Sequence, residues 1–292
     1  MTVDLLILGA GWTSTFLIPL CKERNISFAA TTTTGHDGTI AFKFDDQAAD
    51  SSAYKHLPEA KHVLITFPIK GHGGSKKLVQ FYQETHKTKP KYIQLGSTGI
   101  WQSAATRPGH TAADSTSAAQ PTQTTWISRH SPYDTTDPRA IAEDELKQLG
   151  GCILNLSGLW GGSRQPRTFV DRIVKSKADA KEKKSLHMVH GQDVARAILA
   201  VMGAWPGPSR WMLTDGFVYD WWALMLGWGS SSAAAKAETD GDAHGEVLTW
   251  ILELMQETGT KALPRSMETL GRCYDAIEFW QTFKITPVRA RI

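Results

Sequence analysis

Residues 4–17 read Asp4-Leu5-Leu6-Ile7-Leu8-Gly9-Ala10-Gly11-Trp12-Thr13-Ser14-Thr15-Phe16-Leu17, and the reading of the whole chain works outward from them. A short apolar run leads into two glycines and then into a helical pattern, so the stretch predicts strand, tight turn and helix. Gly9 permits the turn. A missing side chain at Gly11 lets a pyrophosphate approach the backbone, and the following helix aims free N–H groups and its positive dipole end at the phosphates. Ser14 stands at the third glycine position, where a small residue still lets helix and strand pack closely. A glycine turn without a ligand is the competing reading.

The next apolar runs repeat the alternation of strand and helix. Ile26–Ala30, Ile40–Phe44, His62–Pro68 and Lys91–Ser97 are expected strands, with helices after the first at about Thr13–Arg24 and around Lys77–His86. Such alternation implies right-handed crossovers and an α/β fold with a doubly wound parallel sheet. Ligands of such sheets bind outside the carboxyl ends of the strands. Gly9, Gly11, Trp12, Thr13, the run Thr31, Thr32, Thr33, the pair Phe67 and Pro68, and Ser97 all fall on that edge. They are the candidate cofactor-binding residues, with Ser97 a catalytic candidate.

The end of the second strand bears on the choice of dinucleotide. NAD binding favours an acidic residue there, but none occurs before Asp37. The threonine run leaves room for a 2′-phosphate, so NADP is expected, with NAD possible. The loop Lys70–Lys77 resembles a phosphate cradle without P-loop spacing and is read as a crossover.

Ser103 to Thr125 is rich in Ala, Ser, Thr, Gln and Pro, which suggests an insertion or a loop over the site, over about 103–126. Ile141–Leu149 is an expected helix, and Cys152–Leu156 a buried strand. Leu186–His190 is a short strand that leads into a helix over Val194–Met202, and Trp211–Asp215 is another strand. The basic cluster Lys175–Lys184 is read as a solvated loop and Gly229–Gly245 as a polar excursion. Glu246–Glu257 has a helical pattern. Residues 1–215 are expected to form the ligand-binding domain, and 216–292 a smaller capping part packed against it.

Bulk properties narrow the classes. The 292 residues are 41% hydrophobic and 21% charged, and 32 basic against 29 acidic side chains give +3, too little for a nucleic-acid surface. Cys21, Cys152 and Cys273 lie far apart with no zinc spacing, so no metal is expected and a reducing, cytoplasmic setting is. No apolar run reaches the ~20 residues of a membrane span. The expected partner is a small molecule, with neither nucleic acid nor membrane.

Four stretches in order carry a family likeness: Gly9-Ala10-Gly11-Trp12, Leu95–Trp101, Ser157-Gly158-Leu159-Trp160-Gly161 and Met188–Ala195. Through them the chain resembles the extended and atypical short-chain dehydrogenase/reductases, the sugar-nucleotide-epimerase-like branch, over about residues 3–215. The resemblance implies a Rossmann fold, a nicotinamide dinucleotide, and chemistry by a serine, a tyrosine and a lysine four residues beyond the tyrosine. Ser97 matches the serine. The Tyr-x-x-x-Lys pair is missing, because Asp137 follows Tyr133 at that spacing and counting back from Ile141 puts Asp137 itself near the tyrosine slot.

Tyr133, His130 and Asp134 are then the substitute acid/base candidates, and Lys70 the candidate for a lysine that reaches the nicotinamide end. Arg164 suits an anionic substrate group, with a surface arginine as the alternative. Trp101 and Trp160 are candidates to wall an aromatic pocket, or else core anchors. An NADP-dependent oxidoreductase or epimerase-like enzyme is expected. A redox-inactive dinucleotide-binding regulator and a non-redox isomerase or lyase are the alternatives.

Overall fold

A computed structural model describes residues 2–102, 125–236 and 243–292. Seven strands form one parallel sheet in the order β11-β7-β5-β4-β1-β2-β3. These are β1 (Thr2–Leu8), β2 (Phe28–Thr32), β3 (Ile40–Ala41), β4 (Glu59–Ile65), β5 (Lys91–Ser97), β7 (Cys152–Leu156) and β11 (Ser209–Leu213). β1 explains the architecture in four residues. Leu5, Leu6, Ile7 and Leu8 are all 0% exposed, so both faces of the strand are covered, as in parallel sheets flanked by helices on both sides.

Alternate side chains of β1 enter opposite cores. Leu5 and Ile7 pack with α1 (Ser14–Glu23), α6 (Gly191–Gly203) and α10 (Ile277–Thr282), through Leu17, Val194 and Phe279 among others. Leu6 and Leu8 pack with α2 (Gly74–Thr85) and α3 (Pro138–Gln148), through Leu78, Tyr82 and Leu146. The doubly wound α/β fold is thus the one expected, with strand and helix limits shifted by a few residues. Leu8 pairs with Ile65 and Ser97 with Leu156, which brings the carboxyl ends of β1, β4, β5 and β7 to one edge.

Residues after 215 pack with residues before it in two places. A separate core joins Val170, Val174 and Ala180 to Trp221, Trp222, Ile251 and Leu254. It lies among α4 (Val170–Ile173), α5 (Lys177–Glu182), α7 (Trp221–Lys236) and α8 (Ala243–Glu257). The chain then returns to the main sheet, where Trp280 and Phe283 pack in its core.

Three local expectations change for physical reasons. The basic cluster is helical as α5, because Ser176 caps it by accepting from Asp179 N–H and Lys177 bridges Glu253 and Glu257 of α8. The supposed excursion from Gly229 continues α7 to Lys236, and α8 starts at Ala243. Most of the expected insertion lies outside the described residues. Its end forms β6 (Thr125–Ile127), paired with β13 (Arg272–Tyr274). Among the described residues no helix is long and apolar enough to cross a membrane.

Candidate functional site

The turn after β1 is held from two sides. Thr31 Oγ1 accepts from Gly9 N–H at 3.0 Å, and Thr66 Oγ1 donates to Gly9 O at 2.5 Å. Gly9 has φ +95°, and a Cβ there would lie 2.6 Å from Thr66 Oγ1, so only glycine fits. Gly11 is different: a Cβ there would meet nothing within 4 Å. Protein packing does not require this glycine. Its missing side chain leaves open space beside the turn, and the backbone N–H groups of Trp12 and Thr13 make no hydrogen bond among the described residues. Two unspent donors beside a helix N-terminus suit an acceptor-only group such as phosphate.

A second loop closes over this turn. β8 (Gly158–Trp160) pairs with β10 (Met188–His190). Just beyond β8, Gly161 O accepts from the Trp12 indole N–H at 3.1 Å. The Arg164 guanidinium lies 4.6 Å from the Trp12 ring centroid. Arg164 therefore sits beside the glycine turn. Trp160 packs edge-on against His190 at 4.6 Å.

Ser97 ends β5 at the same edge. Its Oγ accepts from Gly99 N–H at 3.0 Å, so its own proton is free to donate. A buried polar network backs it. Ser97 N–H donates to Glu143 Oε1 at 3.3 Å, and Asn155 Nδ2 donates to Ser97 O at 2.9 Å and Glu143 Oε2 at 2.8 Å. Arg210 completes the cluster by pairing with Glu143 and with Asp144. A Cβ on Gly96 would stand 2.5 Å from Glu143 Oε1, so this glycine admits the carboxylate behind the strand. Burial pushes the Glu143 carboxyl upward, and the Arg210 charge and Asn155 amide oppose that push.

A cavity of about 470 Å³ brings these parts together. It is lined by Gly11, Trp12, Thr13, Thr66, Pro68, Leu95, Gly96, Ser97, Arg139, Leu156, Ser157, Leu159 and Arg164. The expected glycine turn, Trp12, Thr13, Pro68, Ser97 and Arg164 therefore do meet. A larger, mostly apolar cavity of about 860 Å³ lies beyond β11, lined by Trp126, Tyr274 and Trp280 among others, and contains none of them.

Other expected site residues are placed elsewhere. Tyr133 does not line the cavity: its phenol donates to Asp144 at 2.8 Å and its ring lies 4.6 Å from the Arg210 guanidinium. Burial, followed by the hydrogen bond to Asp144, raises its pKa, opposite to what an acid/base tyrosine needs. Exposed His130 pairs with Glu278 at 2.9 Å, and Asp134 accepts from the Thr136 N–H and hydroxyl. Trp101 is 0% exposed, a core anchor whose indole N–H donates to Ser131 O. Trp160 and exposed Lys70 do not line the cavity either.

Along the threonine run, Thr31 is buried and spends its hydroxyl on Gly9, while Thr32 bonds Thr39 and Gly35. Only Thr33 and Thr34 face solvent. Phe67 stacks on Phe44 at 5.5 Å beside the turn. The loop Lys70–Lys77, read as a crossover, leads into α2, and Glu145 accepts from its Gly73 N–H and Lys76 N–H, both at 2.9 Å.

Sequence reading missed Arg139 and Ser157. The signal for Arg139 was present: Asp137-Pro138 is a helix cap followed by proline at the first position. It starts α3 three residues before Ile141 and sets Arg139 in the first turn, facing the end of β5.

No family model matches the chain, and no curated protein matches it significantly. Solved structures do. Gre2 from Candida albicans aligns over 98% of this chain and 95% of its own, with TM-score 0.60 and 10% identity. The UDP-glucose 4-epimerase of Thermus thermophilus, solved with NAD, aligns over 100% and 95%, with TM-score 0.56 and 14% identity. The dTDP-glucose 4,6-dehydratase of Bacillus anthracis, also solved with NAD, aligns over 99% and 92%, with TM-score 0.57 and 11% identity. At these identities the property shared with these proteins is the fold alone.

Proposed function

We propose that this chain is a nicotinamide-dinucleotide-dependent oxidoreductase or epimerase-like enzyme for a small carbonyl or alcohol substrate, with an active site that lacks the Tyr–Lys pair. The observation that carries the reading is the open space at Gly11 beside the unspent N–H groups of Trp12 and Thr13. These two donors, with Arg164, would hold the pyrophosphate. The end of β2 carries no carboxylate to repel a 2′-phosphate, and Thr33 and Thr34 offer hydroxyls, which favours NADP over NAD.

When bound, the dinucleotide supplies a ring that donates or accepts hydride. The chain's own part falls to Ser97, whose free hydroxyl proton can bond a substrate oxygen on which negative charge develops. None of the described residues lining the cavity is Tyr, His, Lys, Asp, Glu or Cys, and on this reading a proton reaches that oxygen from water by way of the serine hydroxyl. The same lack of a titrating group favours a second reading, a redox-inactive dinucleotide-binding sensor.

NADPH oxidation with a panel of ketones and aldehydes, in wild type and Ser97→Ala, separates the two. The enzyme reading expects turnover that Ser97→Ala lowers by about 10²-fold, the usual scale for a proton-transfer group. NADPH binding without turnover of any panel member favours the sensor. Absence of NADPH binding overturns both.

A further inference from the structure

We propose, resting on the dinucleotide reading above, that the substrate carries a carboxylate, and that Arg139 holds it beside Ser97. Arg139 occupies an electrostatically poor position. It lies half-buried in the first turn of α3, where the positive end of the helix dipole disfavours a cation. Its guanidinium has one hydrogen bond among the described residues, to Leu95 O at a long 3.4 Å.

The nearby carboxylates are committed elsewhere. Asp137 caps the helix by accepting from the backbone N–H groups of Arg139 and Ala140, and Glu143, though it feels the Arg139 charge, is hydrogen-bonded by Arg210 and Asn155 and not by Arg139. A partly desolvated cation without a bonded counter-ion costs stability unless a ligand supplies the charge.

The surroundings specify that ligand. Among the described residues Arg139 and Arg164 are the charged side chains lining the cavity, and Arg164 lies on Trp12 at the phosphate turn. That leaves Arg139 for the end occupied by Ser97. Ser97 has a proton to donate, and Ser157, only 6% exposed, lines the same cavity, its hydroxyl without a partner among the described residues. A guanidinium fork and hydroxyl donors, with no carboxylate among the described residues lining the cavity, match a planar, acceptor-only group, which carboxylate is.

The test uses wild type, Arg139→Met and Arg139→Lys, each first titrated with NADPH. With NADP saturating, each is then titrated calorimetrically with oxamate, benzoylformate and 2-oxoglutarate. Methyl benzoylformate is the neutral control and phenyl phosphate the alternative anion. At least one carboxylate should bind wild type better than the ester does. Arg139→Met should lose about tenfold or more of that affinity, with partial recovery in Arg139→Lys. All three proteins should bind NADPH alike. Arg139→Met should also unfold at a temperature close to that of wild type, because it removes a cation that has no salt bridge among the described residues, whereas loss of a structural arginine would lower it.

The proposal is overturned by any of four results. They are no carboxylate binding by about 10 mM, equal acid and ester affinity, unchanged acid affinity in Arg139→Met, or tighter binding of phenyl phosphate than of every carboxylate. Loss of NADPH binding in wild type itself would instead refute the dinucleotide reading.

Discussion

The Trp12 indole N–H donates to Gly161 O across 3.1 Å, tying the glycine turn after β1 to the loop after β8. The Arg164 guanidinium lies over the same ring, so one tryptophan positions both the turn and a cation beside it. Trp12→Phe keeps an aromatic face but loses the donor, and Trp12→Ala loses both. Dinucleotide affinity should fall in that order, by about threefold and about tenfold, on the scale of one hydrogen bond and one cation–π contact. Titration calorimetry with NADPH checks the order.

The two glycines of the turn should separate fold from binding. Gly9→Ala forces a side chain into φ +95° and against Thr66, and should cost about 1–3 kcal/mol of stability. Gly11→Asp meets no protein atom at its Cβ and should leave the unfolding temperature within a few degrees of wild type. Its carboxylate would enter the space assigned to phosphate, so its effect belongs to affinity. Denaturant unfolding of both variants checks this division.

Tyr133→Phe should leave turnover within about twofold of wild type, because the phenol bonds Asp144 outside the cavity. It should lose about 1 kcal/mol of stability, the worth of one hydrogen bond. Arg210→Met removes the partner of a buried carboxylate, and should cost about 3–5 kcal/mol. A large loss of turnover in a folded Tyr133→Phe protein would contradict the placement of the phenol.

Acid stability should depend on His187. Burial pushes this imidazole down to about 3, and its Nε2 accepts from Tyr274 N–H at 3.0 Å. Below its unfolded value of about 6.5 the unfolded chain binds a proton that the folded chain refuses. Stability therefore falls as pH drops through that window, with a ceiling of about 5 kcal/mol. Asp215 acts in the opposite sense: burial pushes its carboxyl up to about 6, so the fold loses stability as pH rises from about 4 to 6. The wider displacement is that of His187. His187→Gln, which keeps an acceptor for Tyr274 N–H, should lose less stability than wild type between pH 6.5 and 4. Equal losses by denaturant titration would contradict this.

What the sequence disclosed followed from short-range physics. The run Leu5–Leu8 with Gly9 behind it specifies a doubly covered strand and a turn, and the edge location of Ser97 follows from the parallel topology. The Tyr133 environment depends on Arg210, far along the chain, and no local pattern announces such a pair. Likewise, whether Gly73 and Lys76 N–H groups are open to phosphate is decided by Glu145 on another helix. The second core shows the same limit, since Val170 and Ala180 join Trp222 only through helix packing.

The most direct measurement is the titration of purified protein with NADPH while tryptophan emission is followed, in wild type and Gly11→Asp. Trp12 lines the cavity beside the turn, so binding should quench its emission or pass its energy to the reduced ring. The expected result is saturable quenching at micromolar NADPH in wild type and none in a folded Gly11→Asp protein. No response in wild type at millimolar NADPH or NADH, or equal binding by both proteins, would contradict a dinucleotide held at this turn.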